Sequence, residues 1–276
     1  MKDHRGMIDP AIEGQVRHIV AEFNAGRFDQ ACLACEDSLR RNPSEPSINH
    51  LFAAVLLAKG DVAKSRIHIE ASLAARADNA PAQLLAGRIA RLSGDFNLAI
   101  SHLKRARELA PGTEIFLELA RTFDAAGDRS GAREAWLAIT RIDPASQEAA
   151  GRLGRILFEE GLPAEAAAVL ERVAGSGSPA STWFDLGLVR QDLHDPVGAA
   201  EAYRKALEKR PDDAEAAVNL GIALQDSGDM NAATEAYQKA YGLQPKTLGT
   251  IAMSLTSAPQ GQLWLDREAL KRVLAV

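Results

Sequence analysis

The sequence is poor in the features that mark several function classes. Only two of its 276 residues are cysteine and 5% are aromatic, so no disulfide framework organises the chain. No apolar run approaches the roughly 20 residues that cross a bilayer, which argues against membrane insertion. Met1-Lys2-Asp3-His4-Arg5-Gly6 leads into no apolar stretch of a signal peptide, and a cytoplasmic address is expected. Long runs of one charge sign are also missing: 32 Lys and Arg stand against 37 Asp and Glu, a formal net charge of −5. A duplex binder carries a basic face or tail that neutralises phosphates, so no nucleic-acid partner is expected. What remains is a folded composition, 46% hydrophobic and 25% charged, in a chain long enough to bury a sizeable core.

The glycines are periodic. Gly26, Gly60, Gly94, Gly127 and Gly161 follow one another at a near-constant period of about 34 residues. His194 and Gly228 continue the series at the same period. Gly60, Gly94, Gly127 and Gly228 are each followed by Asp. Glycine readily takes the left-handed conformation that ends a helix, so each mark is a turn between two helices. Pro43, Pro111, Pro144, Pro211 and Pro245 each lie half a period past a mark, where they close the second helix of a pair. The spacing predicts seven helix pairs over 12–247, starting near Ile12, Pro46, Ala80, Thr113, Gln147, Ala180 and Ala214. Residues 1–11 form an N-terminal segment and 248–276 a C-terminal one.

Two positions of the repeat stay small. The eighth reads Ile19, Ala53, Gly87, Ala120, Gly154, Gly187, Gly221, and the twentieth Ala31, Ser65, Ala99, Ala132, Ala166, Ala199, Ala233. Small side chains let two helix axes approach, so these positions mark the crossing of each pair. Large apolar residues recur at positions 7, 11 and 24, such as Leu220, Leu224 and Tyr237 in the seventh repeat.

Trp183-x-x-Leu186-Gly187 followed by Ala199, Tyr203, Ala206-Leu207 and Pro211 resembles a tetratricopeptide repeat. Leu220-Gly221, Gly228-Asp229, Ala233, Tyr237, Ala240 and Pro245 match the same pattern. The resemblance covers about 12–247. It implies an all-α, right-handed superhelical solenoid of about seven helix-turn-helix repeats, in which the first helix of each pair lines a concave groove. Such arrays bind peptides or helices of other proteins, so the resemblance implies a non-catalytic adaptor or scaffold with a protein partner. Arrays of this family also precede transferase and oxygenase domains in some bacterial proteins, which makes an accessory region of an enzyme the alternative.

Chemistry-bearing constellations are not found. Cys32-Leu33-Ala34-Cys35 has a metal-like or redox-like spacing, but no second Cys pair exists and both thiols fall where buried side chains are expected; they read as a core pair. His68 and His102 recur one period apart without acidic ligands nearby and read as surface or packing residues. Gly175-Ser176-Gly177 lacks the Lys and the strand–helix setting of a phosphate loop. No catalytic residue, metal site or cofactor is expected.

In the family the groove is lined by positions 2, 5, 9, 12 and 13. Position nine reads Arg88, Arg121 and Arg155 in three consecutive repeats, and Arg91 lies one turn along from Arg88. A ladder of guanidinium groups clasps carboxylates well, so the candidate site is a positive centre for an acidic segment. The competing reading is local pairing of Arg121 with Asp124 and of Arg155 with Glu159 on their own helices. Apolar residues flank the centre at both ends: Val16, Val20, Phe23 and Leu57 at the first, and Phe184, Leu188, Val218 and Ile222 at the second, with Phe158 at the border. The clamp of chaperone-binding members, with Asn at position nine and Lys at position five, is not reproduced, and Asn219 stands alone where the sugar-transferring members carry an asparagine ladder.

Residues 248–276 break the pattern. Pro259-Gln260-Gly261 reads as a turn, Gln262–Leu265 as a short apolar run, and Asp266 as the cap of a helix reaching about Ala275 with Leu270, Val273 and Leu274 on one face. The last repeat leaves an apolar face that needs covering, so a cap with Trp264 packed beneath it is expected. A tail that binds a partner, or that a second copy accepts in self-association, is the other role open to it.

Overall fold

A computed structural model of the chain describes residues 10–257 and 267–275. Every regular element among them is helical. The helices come in pairs: α1 (Pro10–Asn24) with α2 (Phe28–Arg41), α3 (Pro46–Ala58) with α4 (Val62–Ala75), α5 (Ala80–Leu92) with α6 (Phe96–Leu109), and α7 (Thr113–Ala126) with α8 (Arg129–Ile142). They continue with α9 (Gln147–Glu159) and α10 (Pro163–Val173), α11 (Ala180–Asp192) and α12 (Pro196–Lys209), and α13 (Ala214–Asp226) and α14 (Met230–Leu243). A 3-10 turn at Pro245–Thr247 leads into α15 (Leu248–Ser257), and α16 (Arg267–Leu274) follows. The chain forms two compact units, Met1–Ala135 and Trp136–Val276, divided within α8.

The turns inside the pairs explain the periodic glycines. Gly26, Gly60, Gly94, Gly127, Gly161 and Gly228 have φ between +72° and +90°, and His194 takes the same region at +58°. Asp61, Asp95, Asp128, Asp195 and Asp229 then accept hydrogen bonds from the amides of Lys64, Leu98, Gly131, Gly198 and Ala232 at 2.9–3.2 Å. Each such cap contributes about 0.5–2 kcal/mol. The closing prolines sit two residues past the ends of α2, α6, α8, α12 and α14, where the missing amide no longer interrupts a helical ladder.

In the N-terminal unit Ile19, Cys35, Ile48, Phe52 and Leu56 form one apolar cluster, and Ala53, Ile69, Ala82, Leu85 and Ile89 another. Burial pushes the Cys35 thiol up to about 12, so it packs as a neutral, apolar group. The recurring histidines are interhelical struts. His68 Nδ1–H donates to Asn49 Oδ1 at 2.9 Å and His102 Nδ1–H to Gln83 Oε1 at 2.7 Å. The same amides donate to loop carbonyls, Asn49 to Pro43 and Glu45, and Gln83 to Ala77. A neutral ring supplies the donor that each amide oxygen needs.

The C-terminal unit replaces these struts with aromatics. Ideal Cβ atoms on Gly187 and Gly221 fall 2.5 and 2.4 Å from the Tyr203 and Tyr237 rings, so each ring occupies the space that the missing side chain leaves. The phenols donate to Gln191 Oε1 at 2.6 Å and Gln225 Oε1 at 3.0 Å, which satisfies a polar group that burial leaves without water. Leu248, Ile251 and Leu255 of α15 and Leu270 and Leu274 of α16 are buried in the same core as Tyr237 and Ala240. Gln225 Nε2 ties α13 to the Ser254 carbonyl, and Gln238 Nε2 ties α14 to the Val273 carbonyl, both at 2.8 Å.

The period therefore runs one step further than its Gly and Pro marks. Leu248 lies one full period after Ala214 and opens α15, a helix shorter than the first helices before it. The expected turn at Pro259, the apolar run 262–265 with Trp264, and the Asp266 cap lie outside the described residues.

Candidate binding surface

The position-nine arginines are engaged by carboxylates of the following repeat. In the N-terminal unit Arg88 of α5 donates through Nε to Glu118 Oε1 and through Nη2 to Glu114 Oε1, both at 3.0 Å. Arg91 donates to Glu118 Oε2 at 3.2 Å through Nε, and Arg121 Nη1 stands 3.9 Å from Glu118 Oε1. Glu118 is only 3% exposed. A carboxylate that deep is costly unless charge and hydrogen bonds compensate it, and three guanidinium groups do so. Burial acts to lower Arg88, but Glu118 and Glu114 outweigh it and hold the guanidinium above its ordinary value.

In this unit the arginines of the expected positive centre have carboxylate partners: Arg88 pairs with Glu114 and Glu118, and Arg91 with Glu118. The reason is geometric: α5 and α7 lie side by side, so Arg88 meets the acid 30 residues ahead rather than one on its own helix. Glu118 is the residue that sequence reasoning missed. An acid at position six of the repeat after an Arg at position nine is the signal that finds it.

The same rule recurs in the C-terminal unit with a different outcome. Arg155 of α9 uses one nitrogen, Nη2, for both oxygens of Asp185 on α11, at 2.8 and 3.1 Å. Burial raises Asp185 above the usual carboxylate range and Arg155 offsets this only in part. The Arg155 side chain stays 56% exposed and lines the furrow between α9 and α11.

Two depressions lie along that furrow and a third adjoins them through Glu215. The first, of about 330 Å³, is walled by Gln147, Glu148, Gly151, Arg152 and Arg155 from α9 and by Pro179, Ser181, Thr182 and Asp185 around the start of α11. The second, of about 430 Å³, shares Arg155 and Asp185 and adds Gly154, Phe158, Glu159, Phe184, Leu188, Val189 and Glu215. The third, of about 470 Å³, shares Glu215 and adds Val218, Asn219, Gln244, Lys246, Thr247 and Thr250. Gly154 keeps the floor low: an ideal Cβ there falls 2.8 Å from the Leu170 side chain, so the small residue serves the α9–α10 crossing and adds no bulk to the furrow.

The second depression gathers four of the residues singled out from sequence: Arg155, Phe158, Phe184 and Leu188. Of these four, Phe158, Phe184 and Leu188 are half-buried. Ile222 is not among its walls and packs half-buried against the core shared by α12 to α16. Val218 is 6% exposed and belongs to that core. Among the described residues no group of three or more His, Cys, Asp or Glu side chains is arranged to hold a metal ion, and no helix is long and apolar enough to cross a membrane.

A family model for the tetratricopeptide repeat matches residues 117–181 and 184–246. Among solved structures, the chain is similar to the crystal structure of the MamA protein, at 26% identity and a TM-score of 0.56, over 62% of this chain and 94% of that one. It is also similar to pilF of Pseudomonas aeruginosa, at 17% identity and a TM-score of 0.61, over 72% of this chain and 91% of that one. The structure of Naa15/Naa10 bound to HypK-THB aligns with 95% of this chain at 18% identity and a TM-score of 0.57, over 41% of that chain. A search of curated proteins returns no match.

Proposed function

The chain is a tetratricopeptide-repeat protein, and from that premise we propose that it is a non-catalytic docking protein whose C-terminal unit holds a peptide or helix of a protein partner in the furrow between α9 and α11. The observation that carries this reading is the run of joined depressions, with Phe158, Phe184 and Leu188 half-exposed at its centre. Partly exposed apolar groups beside polar walls are the usual make-up of a site that anchors one side chain and orients its neighbours. The furrow follows α9 from Gln147 to Glu159, about 18 Å at the helical rise. That length takes five or six residues of extended chain or about three turns of helix.

The site differs from the one expected from sequence. Arg88, Arg91 and Arg121 act in this reading as clamps on Glu118, so the acidic ligand is not assigned to them. Self-association through 248–276 has less support than capping, because Leu270 and Leu274 are each 2% exposed within their own unit. The reading keeps the cytoplasmic setting expected from the sequence.

Displayed random peptides, selected on the wild type and compared on Leu188→Glu, test the proposal. Peptides that lose tenfold or more of their affinity for the variant, while its helicity and melting stay unchanged, are the expected result. Enriched peptides that bind both proteins equally would remove the furrow from the function.

A further inference from the structure

The walls of the furrow carry charge in a fixed order. Arg152 belongs to the first depression alone. The Arg155–Asp185 pair is shared by the first and second and is internally balanced. Phe184 and Leu188 belong to the second. Glu215 closes the second and opens the third, where Lys246 also lies; Glu148 in the first and Glu159 in the second already interact with other residues of the chain. Both Arg152 and Glu215 are exposed, and among the described residues neither side chain makes an ion pair or hydrogen bond. They contrast with Arg88, Arg91 and Arg155, whose guanidinium groups are held by acids of the same unit.

We infer that the furrow reads charge order in its partner: an extended segment with an acidic residue at Arg152, an apolar residue over Phe184 and Leu188, and a basic residue at Glu215. The inference rests on the docking reading above and adds the partner's chemistry to it. A partner group of either sign meets a counter-charge that no intrachain bond has to release, so neither contact costs the protein an existing pair. A segment with like charges at both ends places one of them against its own sign, which is the repulsive element that specificity needs.

The spacing follows from helix geometry. Arg152 stands on α9 and Phe184 and Leu188 on the neighbouring α11, one helix spacing of about 8–10 Å apart. The same spacing sets the step from α11 to Glu215 on α13. Each step equals about three residues of extended chain. The recognised pattern is acidic–x–x–apolar–x–x–basic, in either chain direction.

Fluorescence anisotropy with labelled glycine–serine peptides tests this. Three peptides carry Leu at the centre, flanked about three residues away by Asp and Lys, by two Asp, or by two Lys. The wild type is expected to bind the mixed-charge peptide about threefold to fivefold more tightly than either like-charged one, as exposed pairs allow. Arg152→Glu should shift the preference to the two-Lys peptide, and Glu215→Lys to the two-Asp peptide. A flat ranking on the wild type, or a ranking that neither swap changes, overturns the charge-order inference. Leu188→Glu separates the two levels. Binding that is lost in this variant but shows no charge ranking leaves docking standing and removes the inference. Absence of binding, or binding indifferent to Leu188→Glu, overturns both.

Discussion

In the N-terminal unit three arginines converge on one buried glutamate. In the C-terminal unit one arginine meets one aspartate and keeps more than half of its side chain exposed. Both arrangements use Arg at position nine and an acid at position six of the next repeat, 30 residues ahead. They diverge because Glu118 also receives Arg91 and approaches Arg121, while Asp185 receives Arg155. The lesson is that one repeat position is structural or available according to how many counter-charges the next repeat supplies. The same contrast separates the cores, where amide–histidine struts in one unit give way to tyrosines over glycines in the other.

The largest expected effect is at Glu118. Glu118→Ala leaves Arg88 and Arg91 crowded without their acid and should cost about 3 kcal/mol, the lower end for breaking a buried pair, because the arginines retain some solvent. Hydrogen exchange should assign that loss to the N-terminal unit; equal loss in both units would break the comparison. Gly187→Ala should cost about 1–3 kcal/mol in the C-terminal unit by overpacking against Tyr203, measured by urea unfolding. Asp185→Ala should cost only about 1 kcal/mol, since Arg155 turns into water when released and burial already works against the aspartate. A loss as large as that of Glu118→Ala would show that the two ion pairs are equivalent. Gly151→Ala, at a helical site with open space around the missing Cβ, should stabilise the chain by about 0.5–1 kcal/mol.

The units should also respond to acid with opposite sign. Burial holds His68 and His102 below their ordinary value. The unfolded chain therefore binds more protons once pH falls below about 6.5, and their contribution, present above that value, is lost as pH falls through the folded one. Asp185 is held above its ordinary value, so the folded chain takes its proton first. Between that raised value and about 3.9, its contribution to stability grows as pH falls. Exchange rates by unit between neutral and mildly acidic pH should show the N-terminal unit weakening first. Replacing both histidines with glutamine should reduce that slope, with His50, which burial also lowers, supplying the remainder, and an unchanged slope would refute the assignment.

Much of the fold is legible in the residues because its devices are local. A left-handed Gly, an Asp cap and a closing Pro act within a few residues, so their period places α3, α5, α7, α9, α11 and α13 at the residues where those helices start. His194 shows that the conformation, not the glycine, is the constant. The step that opens α15 was harder to see, because Leu248 follows a last Gly–Asp mark and no further mark confirms it. The candidate site was legible only in part. Phe158, Phe184, Leu188 and Arg155 do come together. For the arginine stripe, however, sequence spacing offers only acids on its own helix, at Asp124 and Glu159. Its partners Glu118 and Asp185 sit a whole repeat away, where only the stacking of successive first helices brings them close.

The most direct measurement compares one selected peptide on two variants, Leu188→Glu in the C-terminal unit and Arg88→Gln in the N-terminal unit, by anisotropy at matched helicity. Docking in the α9–α11 furrow predicts at least a tenfold loss for Leu188→Glu and wild-type affinity for Arg88→Gln. Loss confined to Arg88→Gln would contradict it and return the binding surface to the arginine stripe of the N-terminal unit.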